Sequence, residues 1–311
     1  MTNKEAYYLF CEKEKEMPLF SQPWYLEAVC GENGWDVLMI SKGNEVAATM
    51  PIIKKKQWRF SLSRMPLITP YLGPYFPEKF RSSKQQEKLM RSIIEQLPNF
   101  DFFDQNFPPS ITNWLPFYWE GFEATVRYSF LVNLEKGLER IFQKISSNYR
   151  NNKIAKAKNH IKIISDRSLQ EFYEIQKKTF EKQGIPIPYS FDFIKKFDSA
   201  LKKENAGKLF FAVDEKEQIH SVAYLTWDED TAYFQMTGSD PNFRNSGAGV
   251  LIVWESIKFA KEILGKKKFD FCGSVIENIA KVRQEFGSEQ VPYFNLKKFE
   301  SKVLEILYKV K

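Results

Sequence analysis

An α/β protein with mixed sheets, built as two similar halves, is the fold this sequence predicts. Three observations carry that expectation. The chain has 311 residues, more than one typical domain of roughly 100–200. Each half shows a β-hairpin and, further on, a long amphipathic helix with a strand behind it. The residues themselves also repeat: Phe100-Asp101-Phe102 follows the first long helix as Phe269-Asp270-Phe271 follows the second.

The first half reads, in order, as a helix over 22–29, strands over 36–41 and 45–53, strands over 58–63 and 67–72, a helix over 83–96, and strands over 100–103 and 124–134. Lys42, Gly43 and Asn44 are the turn residues that make the first two strands a hairpin. Leu89, Ile93 and Leu97 recur every four residues and give the long helix one apolar face. The second half repeats the order: a helix over 169–181, a hairpin of strands 208–213 and 218–227 turning through 214–217, a strand over 231–238, a helix over 250–264 and a strand over 268–272. Helices set between strands imply mixed layers. The duplication implies two subdomains facing a central cleft, one over 1–134 and one over 135–311, connected through Pro108-Pro109 and a basic segment. Near the C-terminus, Phe299, Val303, Ile306, Leu307 and Val310 recur at helical spacing, which reads as a core-facing helix in preference to a membrane-surface stripe.

Composition narrows the function. With 43% hydrophobic and 27% charged residues, the chain resembles ordinary globular proteins, which excludes disorder and fibrous repeats. No apolar run approaches the roughly 20 residues that cross a bilayer. Met1, Thr2, Asn3, Lys4 and Glu5 lack an apolar signal core, so a cytoplasmic location is expected. Cys11, Cys30 and Cys272 have no CxxC spacing, and His160 and His220 stand far apart, so no metal site and no histidine-dependent hydrolase is expected. Both histidines read as surface or strand side chains, and the 16% aromatic content reads as core packing.

The formal net charge is +7, and it lies in one place. Residues 140–162 hold Arg140, Lys144, Arg150, Lys153, Lys156, Lys158 and Lys162 and no acid, so 7 minus 7 leaves the rest of the chain neutral. Ser146 and Ser147 offer a cap, and Ile154, Ala157 and Ile161 recur at helical spacing. The segment therefore reads as a helix with a basic stripe, able to meet phosphates, although a solvated face is the commoner meaning of such a run.

The most informative motif is Arg244-Asn245-Ser246-Gly247-Ala248-Gly249, between the expected strand 231–238 and the expected helix from 250. Glycines let backbone N–H groups approach a phosphate closely, and a helix N-terminus adds unpaired donors and the positive end of its dipole. Arg244 adds a charged contact. A tight turn alone would also use glycines. The corresponding turn of the first half, Glu78-Lys79-Phe80-Arg81-Ser82, has none, so only the second half is expected to hold a phosphorylated donor. No Gly-Lys-Ser/Thr follows and a third glycine is missing, which excludes Walker and dinucleotide-binding loops.

A strand, then Arg-x-x-Gly-x-Gly, then a helix resembles the acyl-donor pyrophosphate loop of the GNAT acyltransferase superfamily. The tandem arrangement resembles the branch holding the FemAB peptidoglycan aminoacyltransferases and the BioF2-like acetyltransferase domains. The stretch from Ser147 through Tyr149, Arg150 and Lys153 is similar to that branch's basic opening helix. Lys268-Phe269-Asp270-Phe271-Cys272-Gly273-Ser274 resembles its strand after the donor helix, and Lys281-Val282-Arg283-Gln284-Glu285-Phe286-Gly287 its closing Phe-Gly motif. Phe20-Ser21-Gln22-Pro23-Trp24-Tyr25 and Leu72-Gly73-Pro74 resemble the first lobe. Val282-Arg283 stands where the family has Phe-Lys, which keeps the cation but makes it a planar guanidinium. The long helical-hairpin arm of some peptidoglycan transferases has no room here, and 277–284 holds no tyrosine to serve as general acid.

The resemblance implies two tandem GNAT-like subdomains: an acceptor-side lobe with a degenerate phosphate loop over 1–134, and an acyl-donor lobe over 135–311. It implies an acyltransferase that moves an acyl group from acyl-coenzyme A, or another phosphopantetheine donor, to an amine without a metal. Two alternatives stay open. One is a FemAB-type transferase using aminoacyl-tRNA, held through the basic segment 140–162, on a peptidoglycan precursor; the other is a non-catalytic binding module. Arg244, Asn245, Ser246, Gly247, Ala248 and Gly249 are the expected donor-binding residues, and Arg283 the expected cation facing the cleft. On the strand 231–238, Tyr233 and Gln235 share a face, with Tyr224 on the neighbouring strand, and these three are the candidate catalytic side chains; a solvated sheet face is the alternative. The acceptor is a small molecule or a cell-wall precursor.

Overall fold

In the computed structural model, which describes residues 2–309, contacts divide the chain into two units: residues up to 128 with those from 292 onward, and residues 129–291. Helices α1 (Asn3–Lys13) and α2 (Pro23–Cys30) open the first unit. A capping box of Thr2 and Glu5 starts α1, and Pro23 at the first helical position starts α2. Strands β1 (Trp35–Lys42) and β2 (Glu45–Ile53) form the expected hairpin. Then come β3 (Lys55–Gln57), β4 (Phe60–Arg64), α3 (Ser83–Glu95), β5 (Phe102–Asn106) and α4 (Leu115–Trp119). Strand β6 (Glu123–Asn133) leads into the second unit.

The second unit contains α5 (Leu138–Lys144), a wide π-helical turn (Asn148–Ile154), α6 (Ala155–Ala157), β7 (Lys162–Ile164), α7 (Leu169–Glu181), α8 (Phe191–Lys203), β8 (Gly207–Val213), β9 (Ile219–Trp227) and β10 (Thr231–Ser239). It ends with α9 (Ala248–Lys258), β11 (Lys268–Asp270) and α10 (Glu277–Gln284), before β12 (Glu289–Phe299) and α11 (Lys302–Lys309) return to the first unit. The sequence reading keeps the chain in the second lobe from 135 to its end. In the structure β12 pairs with β5, Asn295 opposite Asn106 and Phe299 opposite Phe102, a partner nearly two hundred residues away that no local pattern announces.

In the first unit β3, β4, β5 and β12 lie side by side in that order. The expected strand over 67–72 is not regular, because Pro66, Pro70 and Pro74 remove ladder donors. Its remnants are single bonds: Leu72 N donates to Asn106 O at 2.7 Å, and Tyr75 exchanges two bonds with Thr49 at 2.8 and 3.0 Å. The expected strand over 58–63 begins at Phe60, because Trp58 and Arg59 form the two-residue tip of a hairpin.

In the second unit the order is β6-β11-β10-β9-β8-β7, with β10 and β11 parallel and the other pairs antiparallel. One face of this sheet, with Phe210, Ala212, Ala223, Leu225 and Phe234, buries itself against α9 and the apolar side of the basic segment. The opposite face meets α7 and α8, where Phe172 and Phe197 set their rings edge-on to Tyr224. The basic segment is not one helix: Ile145 is extended after α5, and the chain resumes in the π turn and α6. Ile154, Ala157 and Ile161 are nevertheless the residues it buries. At the C-terminus, α11 keeps Leu304 and Tyr308 on the first unit's core but leaves Val303, Ile306 and Leu307 exposed, so the expected core stripe divides; Val310 lies outside the described residues.

Candidate functional site in the second unit

The site begins where β10 and β11 part. The two strands pair over only three residues, Thr231 with Lys268 through Tyr233 with Asp270. Immediately after β11, Cys272 and Gly273 take φ of 60° and 73°, and two successive left-handed residues turn the chain out of the sheet. Strand β10 runs on to Ser239, so beyond Tyr233 it has parted from β11. A bulge between Phe234 and Met236 shifts its register against β9, and bulges re-aim side chains.

Beyond the end of this strand lies the glycine loop. Pro241–Phe243 form a single 3-10 turn started by Asp240, whose carboxylate accepts from Asn242 N and from Lys178 Nζ at 2.6 Å. Burial raises the Asp240 pKa, but these bonds outweigh it and hold the carboxyl below its ordinary value. Gly247 is then the N-cap of α9, in the left-handed region at φ 78°. Its amide and that of Gly249 lie at the open first turn, where a helix has no internal acceptors. Arg244 and Gly249 are exposed. Gly247 has a second reason to be glycine: a Cβ there would stand 2.8 Å from Lys153 O and 3.2 Å from Ala157 Cβ. At Gly249 a Cβ would meet only Ser239 Oγ at 3.6 Å and Ser221 Oγ at 3.8 Å.

The loop therefore rests on the basic segment. His160 reaches it as well, its Nε2 lying 3.2 Å from Ser246 O. At the other end of the segment Ser146 N donates to Glu285 O at 2.8 Å, Tyr149 meets the Phe286 ring edge-on, and a Cβ on Gly287 would strike Lys144. The closing Phe-Gly motif and the glycine loop thus grip opposite ends of one segment. Lys153, Lys156, Lys158 and Lys162 are exposed, and no cation from Arg140 to Lys162 joins an ion pair among the described residues.

The two histidines sit as expected, His160 on the surface and His220 on a strand, but their contact with this loop was not read from the sequence. His220 is buried at the start of β9, with Nε2 3.2 Å from Asp214 Oδ2, and its ring lies flat on Phe243, 3.9 Å between centroids and 2° from parallel. The backbone adds a bond from Asp240 N to His220 O at 3.0 Å. His220 and His160 therefore hold the same loop, one through the turn before it and one through its middle. Neither has a sequence pattern that reveals this, since both partners are distant in the chain.

The expected catalytic side chains are placed differently. Tyr224 does not line a cleft: it is buried beneath α7 and α8, and its hydroxyl donates to Asp198 Oδ1 at 2.7 Å. Burial and then Asp198 push its phenol far above the ordinary value, so it keeps its proton. Tyr233 is also buried and donates to Asp228 Oδ2 at 2.7 Å, in the turn that joins β9 to β10. Gln235 sits at the bulge, its Oε1 accepting from Thr226 Oγ1 at 2.7 Å. Thr226 stands opposite Tyr233 and donates to Gln235, so these two side chains keep the shared face the sequence predicts.

Arg283 on α10 is half-buried, its guanidinium about equally distant from the rings of Phe271 and Phe130, at 5.9 and 6.0 Å. Glu277 is engaged by Lys281 at 2.6 Å. Burial pushes the Cys272 thiol up, the Asp270 carboxylate adds to that, and Arg283 works against both. The guanidinium over the Phe271 ring puts the Arg283 charge next to the end of β11.

Comparison with known proteins agrees with this architecture. Residues 148–278 match the family model described as an acetyltransferase (GNAT) domain. Among solved structures, FemX aligns with a TM-score of 0.74 at 13% identity, over 99% of this chain and 98% of that one. L-PGS from Bacillus licheniformis aligns at 0.57 and 12%, over 98% and 95%. A tandem GNAT protein from the clavulanic acid biosynthesis pathway aligns at 0.55 and 9%, over 94% and 92%. No curated protein matches the chain. The second unit is a GNAT acyltransferase domain. The whole chain shares its fold with FemX and with the tandem GNAT protein, and the acyltransferase class rests on residues 148–278.

Proposed function

We propose that the protein transfers an acyl group from acyl-coenzyme A, or a like phosphopantetheine thioester, to an amine. One observation carries this reading: the half of β10 that has parted from β11 runs, through one 3-10 turn, into a left-handed glycine that caps α9. A donor arm with amide groups adds to such a parted strand as a strand adds to a sheet, which puts its phosphates at the first turn of α9 beside Arg244. The amine then attacks the thioester carbonyl. A C–N bond forms, the C–S bond breaks, the amine gives up a proton and the leaving thiolate takes one. Orientation alone supplies about 7–11 kcal/mol. Such catalysis suits a site whose histidines brace a loop. Arg283 is the cation we assign to the charge that develops on the carbonyl oxygen.

A second reading, an aminoacyl-tRNA donor and a peptidoglycan precursor as acceptor, is favoured by the unpaired cations of 140–162 against the same loop, since RNA rewards such a row. The experiment that separates the two follows release of the coenzyme A thiol from acetyl-coenzyme A with a panel of amines, in parallel with transfer from a short aminoacyl-RNA mimic. Amine-dependent thiol release that is lost in Arg244→Ala supports the first reading. Turnover of the RNA mimic alone moves the assignment to the second, and no turnover of either contradicts both.

A further inference from the structure

The first unit carries an apolar and basic face that neither donor reading uses. At the tip of the β3–β4 hairpin, Trp58 has φ 54° and is 84% exposed. A two-residue hairpin turn takes a positive φ at its first position, and here a fully presented tryptophan fills it. Phe60 and Leu62 of the same hairpin share an apolar cluster with Phe102, Phe299 and Leu304, so α11 lies against the hairpin's own strand. Tyr308 closes that packing, 5.5 Å from the Phe102 ring, and accepts from Lys297 Nζ at 2.6 Å. This leaves the other side of α11 outward, with Val303 49%, Ile306 63% and Leu307 51% exposed. Lys302 on α11 and Lys55, Lys56 and Arg59 on the hairpin are all exposed and none is in an ion pair among the described residues. The nearby acids are engaged: Glu300 by Lys298 and Glu305 by Lys309.

We propose that this face, the Trp58 hairpin tip with the outer side of α11, binds the surface of an anionic membrane. Exposed apolar side chains and unpaired cations on two elements that pack together match an interface whose headgroups are negative and whose interior is apolar; an aromatic tip is the side chain best suited to the boundary. The binding is peripheral, since no described helix is long and apolar enough to cross a bilayer. It brings the enzyme to acceptors carried on lipid. The inference does not depend on the donor assignment, because it involves no residue of the second unit.

The test is flotation of the full chain with phosphatidylcholine vesicles, with and without about one-third phosphatidylglycerol. Binding to the anionic vesicles only, weakening with salt, is expected. Each removed cation lowers partition about fivefold, so a Lys55→Ala, Lys56→Ala, Arg59→Ala variant floats poorly. Ile306→Ser with Leu307→Ser, and Trp58→Ser alone, each lose at least about tenfold, with unchanged melting and unchanged coenzyme A binding. No flotation at low salt overturns the proposal, as does flotation that the three variants retain. A dimer in sedimentation that the Ile306 and Leu307 variant dissolves would assign the face to a second copy of the chain instead.

Discussion

Gly247 and Gly249 look equivalent in the motif, yet the structure separates them. A side chain at Gly247 meets both a left-handed φ of 78° and the Lys153 carbonyl, so any substitution there destabilises the fold by about 1–3 kcal/mol and says nothing clean about donor binding. Gly249 lies in the first turn of α9 with ordinary contacts around its missing Cβ. Gly249→Ala therefore raises stability by about 0.4–1 kcal/mol, through lost freedom of the unfolded chain, while its methyl blocks the close approach of a phosphate. Melting curves and donor titrations on one preparation check this, and a variant that is neither more stable nor weaker in donor binding contradicts it. His220 offers the second test at this scale. His220→Ala removes the stack under Phe243 and weakens donor affinity about tenfold, a loss that aromatic pairing of about 0.5–1.5 kcal/mol accounts for. His220→Phe keeps the stack and restores affinity. Equal affinities for the two variants would remove His220 from the account of the loop. The loop was legible in the sequence because glycine spacing has a direct backbone meaning. The histidine contacts were not, because stacking on Phe243 and reaching Ser246 are facts of tertiary distance.

Elements with their own periodicity were readable. Helix α7 spans 169–181 as its apolar spacing predicts, with a Ser168 and Glu171 capping box at its start. The β1–β2 hairpin follows from its glycine turn in the same way. Where proline and wide turns intrude, the reading failed: the extended stretch before Tyr75 carries too many prolines to form a ladder, and the basic segment is wound as a π turn. The π turn has a consequence for function, since it buries Ile154 and Ala157 under the loop while leaving Lys153, Lys156 and Lys158 in water. Replacing those three lysines with alanine lowers donor affinity at low ionic strength and barely at high, because exposed charges act over about 10 Å at 0.1 M salt. The steepness of the salt dependence also ranks the donors: a shallow slope fits a small phosphorylated thioester, a steep one an RNA. A triple variant that binds as the parent does at every salt concentration would make the segment a solvated face.

At the scale of the whole molecule, the duplication of element order was visible, while the return of β12 to the first unit was not. Its closing strand pairs with β5, nearly two hundred residues earlier in the chain. The comparisons carry the fold at identities of 9–13%, far below what fixes a substrate. The account of function therefore rests on one physical claim, that the loop from Arg244 to Gly249 holds the phosphates of an acyl donor. The measurement that tests it most directly is thermal unfolding of the full chain against coenzyme A, acetyl-coenzyme A and a short aminoacyl-RNA mimic, for the parent, Gly249→Ala and Arg244→Ala. A ligand at a hundred times its dissociation constant adds about 2.7 kcal/mol to the folded state, an upward shift of several degrees. The account predicts that shift for at least one phosphorylated donor in the parent, and its loss in both variants while their unliganded melting holds or rises. A shift of equal size in all three proteins, or none in the parent with any donor, would contradict it.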